Sequence, residues 1–294
     1  MGSYGAAIMA TKGQSRWPVG RKRRAWLVVN ALGVVFGLLM ALPLVILGLV
    51  SVSSLSIWSL QLPAWTLSHY QSVLSTASGF GIQPFINSFC VAIVAATAST
   101  IVGMLAAYAL SRGRFAHKRE ILFGALFLSA LPLPALIVPI YQMFAALGLL
   151  NSLLFVGLFI AATVVPYSVW VITNAMDSIT RELDEAASID GAGVWTVMGR
   201  VVLPVAAPGV AFAFVFAFLQ GWGAFLIPLA LDSNPSDTPA AVAVYNFMST
   251  HTGFDFGAIG AFAVLFCGPV LVLYSLVSGQ FGSGFASGGA NTGE

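Results

Sequence analysis

Six apolar runs dominate this chain, at about residues 26–50, 86–110, 121–146, 152–175, 205–231 and 257–280. Each is close to the roughly 20 residues an α-helix needs to cross the hydrocarbon core of a bilayer. None alternates polar and apolar residues as the strands of a transmembrane barrel do. Glycine and proline interrupt several runs, which membrane helices tolerate when neighbouring helices re-satisfy the backbone. A soluble alternative fails on composition: 59% of the residues are hydrophobic and 7% are charged, too few charges to coat the surface of a water-soluble core. The expectation is an all-α, polytopic membrane protein with six transmembrane helices.

The basic residues orient it. Lys12, Arg16, Arg21, Lys22, Arg23 and Arg24 precede the first run, Arg112, Arg114, Lys118 and Arg119 separate the second from the third, and Arg181 and Arg200 separate the fourth from the fifth. All twelve therefore fall on one face of a six-span arrangement. The excess of Lys and Arg in cytoplasmic loops places that face, and both termini, in the cytoplasm. The first run is too long for a secretory signal and has no small-residue cleavage site after it. The domain reading is a basic cytoplasmic N-terminal tail over 1–25, a six-helix transmembrane domain over 26–280, and a flexible Gly/Ser-rich C-terminal tail over 281–294.

Much chemistry is missing. There is no G-x-x-x-x-G-K-[ST] phosphate loop, no HExxH, and no G-x-S-x-G elbow. His69, His117 and His251 are isolated, and Cys90 and Cys267 sit inside apolar runs without metal spacing, as small packing residues. The chain reads as a non-enzyme with no cofactor or metal of its own. Glu120, Asp177 and Asp232 lie at span ends, so the runs lack the midplane carboxylates that ion-coupled carriers use. Neutral polar side chains do occur within them, and Asn87, Gln142, Asn174, Gln220 and Trp222 are the candidates to line a path for a neutral, hydroxyl-rich solute. The competing use of such groups is hydrogen bonding between helices.

The polar stretch Glu185–Pro208, EAASIDGAGVWTVMGRVVLPVAAP, stands apart. Ser178 or Thr180 can cap a short helix whose first turns hold Glu182, Asp184 and Glu185, where acidic residues favour the helix dipole. Ile179, Leu183, Ala186 and Ala187 recur at helical spacing and make a narrow apolar face. Gly191 suits a left-handed end to that helix, and a second short helix over 194–202 is expected to stop before Pro204. Two short helices joined at a glycine elbow make a projection that fits a groove on a soluble partner.

These residues carry a resemblance. EAASIDGAG followed by VVLPVAAPG is similar to the EAA loop of inner-membrane permease subunits of binding-protein-dependent ABC importers, in the form typical of the carbohydrate (maltose-type) permeases and of their second, six-span subunit. WTLSHY at 65–70, FINSF at 85–89, AAYALSRGRF at 106–115, the Pro139-Ile140-Tyr141 triplet and LGLLNS at 147–152 extend the similarity over most of residues 60–275. The resemblance implies the type I importer permease fold. It also implies that Glu182, Glu185, Ala186, Ala187, Asp190, Gly191, Ala192, Leu203 and Pro204, in a coupling loop at 177–204, seat in a cleft of a cytoplasmic ATPase subunit. Implied partners are a second permease subunit, two ATPase subunits that bind ATP and Mg, and an extracytoplasmic solute-binding protein, in a bacterial inner membrane. The implied function is ATP-driven import of a di- or oligosaccharide or related carbohydrate. The alternatives are an ABC permease for glycerol phosphate or an amino acid, or a secondary carrier. Two features depart from the family pattern: Gly223 and Ala224 stand where a polar residue is usual after Trp222, and no basic residue follows Arg200.

Overall fold

The structure is a computed structural model and describes residues 19–53, 65–75, 81–250 and 255–288. Among these residues the regular secondary structure is helical apart from one isolated bridge, Ser53 with Trp65. Lys12, Arg16 and His251, and the ends of both expected tails, lie outside them.

Two units are distinguished, residues 1–49 and 50–294. The first is occupied by α1 (Val19–Ser51), which from Trp26 to Val50 is apolar apart from Asn30, the pattern of a helix surrounded by hydrocarbon. The second unit holds everything else. Its frame is α3 (Gln83–Arg112), α6 (Leu153–Asp177) and α9 (Leu203–Trp222), packed on one another. Small residues let these helices approach, as membrane helices require in the absence of a hydrophobic drive between them. A β-carbon on Gly221 would stand 2.6 Å from the Cα of Ala92, and one on Gly157 would stand 2.8 Å from the side chain of Val94. Val91, Ala92, Ala95 and Ala96 of α3, Val156, Ile160 and Val164 of α6, and Ala217, Phe218 and Trp222 of α9 fill the space between.

All six apolar runs appear, but two do not form single helices. Among the described residues five helices are long and apolar enough to span, Trp26–Ser51, Gln83–Arg112, Leu153–Asp177, Val194–Trp222 and Phe256–Val277. The run at 121–146 is split into α4 (Lys118–Ser129) and α5 (Leu133–Leu147). Pro132 and Pro134 cause the break: proline lacks an N–H and pushes the residue before it out of the helical region, and Pro132 is extended at φ −69°, ψ 105°. The run at 205–231 is likewise split at Gly223–Phe225, leaving the short α10 (Leu226–Leu231). Conversely, the break expected before Pro204 is absent. The short α8 (Val194–Thr196) runs through a wide π turn at Val197–Val202 directly into α9, giving one helix over Val194–Trp222. Pro204 would crowd the carbonyl of Arg200 in a regular helix, and the π turn that contains Arg200 relieves this.

The remaining elements are α2 (Ser68–Leu74), α7 (Glu182–Ile189), a 3-10 turn at Pro235–Asp237, α11 (Ala240–Thr250) and α12 (Phe256–Gly288). The backbone of the expected C-terminal tail is thus helical as far as Gly288. Val73 of α2, Ala240 of α11, and Ala258, Ala261 and Phe262 of α12 form a cluster at one end of the frame. Cys90 and Cys267 are free thiols exposed on the outer surface of their helices, not packing residues between helices.

Candidate functional site

Two regions stand out, a latched polar loop at one end of the frame and a cavity at its two helix breaks.

The loop is built on a buried apolar footing. Ile179, Val197 and Val202 are buried against Ala107, Ile172, Met176 and Ala206, and Ala187 and Ala192 pack onto the same cluster. This turns the elbow outward. Its helix α7 starts after Arg181, whose carbonyl accepts the N–H groups of Asp184 and Glu185 at 3.0 Å. The expected Ser178 or Thr180 cap is not used: no side chain caps α7, and the Ser178 hydroxyl donates to the Ala175 carbonyl at 2.7 Å in the helix before it. Gly191 has φ +82°, the left-handed conformation its position called for.

A charged network ties this loop to the end of α3. The Arg112 guanidinium pairs with the Asp184 carboxylate, with side chains 12% and 16% exposed, and also donates to the carbonyls of Met176 at 3.1 Å and Ile179 at 3.4 Å. Arg181 donates to the Ser111 carbonyl at 3.0 Å. Lys118 pairs with Asp177 at 2.6 Å, and the Ser111 hydroxyl donates to the same carboxylate at 2.7 Å. In the sequence Arg112, Lys118 and Arg181 serve only to orient the chain. The complementary charges at 177 and 184 were the available signal, but their pairing needs the tertiary fold.

Outside this network the loop is free. Glu182, Glu185, Ala186, Asp190, Gly191 and Pro204 are exposed, while Ala187, Ala192 and Leu203 are half-buried. Leu183, Ile189, Val194 and Trp195 are large apolar side chains left exposed, with Ile189 86% and Trp195 72% exposed. An apolar strip rimmed by carboxylates on a rigid footing is the form of a docking surface.

The cavity measures about 400 Å³. Ser129 and Leu133 border it from the α4–α5 break, Gly223, Ala224, Phe225, Leu226 and Ile227 from the α9–α10 break, and Ile160, Thr163, Val164, Tyr167, Phe216 and Gln220 from the helices between. Non-helical backbone at membrane depth is stable only inside protein or beside a water-filled space, and here two helix breaks meet at one cavity. No Asp, Glu, Lys, Arg or His lines it among the described residues. Tyr167 lies against Phe216 with ring centroids 4.2 Å apart and the rings tilted by 39°, giving an aromatic wall in the cavity that Gln220 also lines.

Of the five polar candidates, the structure brings only Gln220 to this cavity. Asn87 is buried and donates to the carbonyls of Ser236 at 2.8 Å and Thr238 at 3.2 Å. Trp222 is buried between Phe218 and Phe266, and its indole N–H donates to the Phe266 carbonyl at 3.0 Å. Asn174 donates to Trp170 on its own helix at 2.8 Å, and Gln142 lies exposed on α5. Ser129, Thr163 and Tyr167 were missed. The prolines at 132 and 134 and the glycine at 223 were the signal that could have found them. Just beyond α10, burial pushes the Asp232 carboxyl above its ordinary range, partly offset by the Asn234 N–H it accepts, and Asp237 adds to the rise.

The sequence profile described as "Binding-protein-dependent transport system inner membrane component" matches residues 99–283. The chain belongs to that family. It is a multi-pass inner-membrane permease of the ABC importer class, a transporter component and not an enzyme. Among similar proteins, the sulfoquinovosyl glycerol transport system permease protein SmoH of Agrobacterium fabrum is 31% identical, over 77% of this permease and 81% of the relative. The trehalose transport system permease protein SugB of Mycobacterium tuberculosis is 26% identical over 91% and 97%. The maltodextrin transport system permease protein MdxG of Bacillus subtilis is 27% identical over 77% and 81%. In fold, the permease resembles a chain in the crystal structure of a bacterial ABC transporter that imports the acidic polysaccharide alginate, with a TM-score of 0.71 over 89% of this chain and 98% of that one, at 22% identity.

Proposed function

We propose that this permease forms half of the translocation path of an ATP-driven importer for an uncharged saccharide. The observation that carries this is the cavity at the two helix breaks, lined by Tyr167, Gln220, Ser129 and Thr163 and free of charged groups among the described residues. Hydroxyl-rich solutes need neutral donors and acceptors together with flat apolar walls for their C–H faces. Anionic solutes call for Arg or Lys, which this lining lacks. Relatives named for maltodextrin and trehalose transport support the same substrate class.

In this reading both termini and the 177–204 loop face the cytoplasm, consistent with the twelve basic residues on one face. The exposed strip of Leu183, Ile189, Val194 and Trp195, with Glu182, Glu185 and Asp190 around it, seats in an ATPase subunit that binds ATP and Mg. A second permease completes the path, two ATPase subunits drive it, and a solute-binding protein delivers the saccharide on the opposite side. A neighbouring solved structure of an alginate transporter bound to a periplasmic protein supports that last partner. Closure of the ATPases moves the loop, and the latch through Arg112 and Asp184 passes that motion to α3 and α6 as a rigid body.

The test is transport by the reconstituted complex. Gln220→Ala and Tyr167→Phe should raise the half-saturating saccharide concentration several-fold while basal ATP hydrolysis persists. Unchanged saccharide dependence in both variants would remove the cavity from the path.

A further inference from the structure

The cavity wall at α10 has an unusual mechanical problem. A helix of six residues cannot hold itself in place, because helices below about 12 residues are marginal without tertiary support. At its N-terminal end α10 joins α9 through the break at Gly223–Phe225. At its C-terminal end the chain is gripped by side chains far away in sequence.

We propose that Asn151 is the positioning residue that fixes α10 across the cavity, with Asn87 as the second anchor. The purpose of this clasp rests on the reading that the cavity is the solute's path. Asn151 sits in the turn between α5 and α6 with φ 57°, a left-handed conformation that asparagine tolerates better than other side chains. That conformation lets both its groups face one strand of backbone. Its N–H donates to the Leu231 carbonyl at 3.0 Å, and its Oδ1 accepts the Ser233 N–H at 2.8 Å. The first bond satisfies one of the C-terminal carbonyls that a helix leaves open, so α10 is capped from a turn 80 residues earlier.

The second grip follows immediately. Asn87, 3% exposed, has its amide oriented by the Gln83 side chain at 2.9 Å and donates to the carbonyls of Ser236 and Thr238. Its neighbour Ser88 accepts the Ala240 N–H at 2.9 Å. Between the two grips, the segment is stiffened by its own side chains: the Asn234 carboxamide accepts the Ser236 N–H and donates to Asp237 at 3.0 Å. The result is a short helix held rigidly at one end and joined through a glycine-containing break at the other. Asn87 was a candidate path-lining residue, and here its polarity serves to hold the wall.

The experiment is amide hydrogen exchange with mass spectrometry on the permease in its complex, in lipid nanodiscs and without solute. Asn151→Ala should speed exchange in 226–233 at least tenfold and leave the 177–204 loop unchanged. Asn87→Ala should do the same for 236–240. Asn151→Asp keeps the acceptor and should restore slow exchange in 226–233. Unchanged exchange in Asn151→Ala overturns the proposal, as does a rise spread equally over 177–204, which would mean general loosening. Because no solute is present, failure here is distinct from failure of the path reading, which is judged by the saccharide dependence of Gln220→Ala and Tyr167→Phe.

Discussion

Removing the Asp184 carboxylate should release the loop from the frame. The Arg112–Asp184 pair is 12% and 16% exposed, so deleting one partner strands a charge away from water. Breaking a buried pair in this way costs about 3–5 kcal/mol. Arg112 keeps the carbonyls of Met176 and Ile179, which reduces the expected loss to about 2–3 kcal/mol. At about 1.4 kcal/mol per factor of ten, local opening of α7 should become roughly 30- to 150-fold more frequent. Amide exchange across 182–192 in Asp184→Ala reads this directly. Replacing both partners, Arg112→Met with Asp184→Leu, should recover most of the protection, since an apolar pair of similar volume often matches a buried ion pair. The two singles and the double form a cycle whose coupling term should exceed about 1 kcal/mol. A change below threefold in the single variant, with simple additivity in the double, would refute the latch.

Three further outcomes are expected. Gly191→Val should insert normally yet lose solute-stimulated ATP hydrolysis, because no atom crowds the position and the cost of about 1–2 kcal/mol comes from φ +82° alone; Gly191→Asn should retain most of it. Gly221→Val should lower the thermal midpoint by several degrees in detergent, because its β-carbon would meet the Ala92 backbone at 2.6 Å, leaving α3 and α9 to move apart. Asp232 has a folded pKa raised above its ordinary 3.8, so its contribution favours the fold below that value and is lost as pH rises through the folded pKa. Melting curves from pH 3.5 to 7 should therefore fall less steeply for Asp232→Asn, which keeps the acceptor for the Asn234 N–H. An identical slope in both would contradict the burial of that carboxyl.

The apolar runs were legible because apolar length is a local property, and the elbow of the loop was legible because Glu182, Asp184, Gly191 and the alanines carry their geometry in their own chemistry. What escaped was tertiary. Asn87 and Gln220 are both polar residues in apolar runs, and nothing local separates a side chain that grips backbone from one that faces a cavity. The unbroken reading of 121–146 and 205–231 weighed hydrophobicity above Pro132, Pro134 and Gly223, where the helices in fact break. The missing break before Pro204 erred the other way, because a π turn absorbed the proline.

The central claim is that this permease passes a neutral saccharide when driven by its ATPases. The most direct measurement reconstitutes the chain with its co-purifying partner subunits and follows ATP hydrolysis against a panel of solute-binding proteins loaded with saccharides, amino acids or anions. Stimulation by a saccharide-loaded protein, lost in Gly191→Val, is the predicted result. Stimulation by an amino acid or an anion with no response to any saccharide would contradict it.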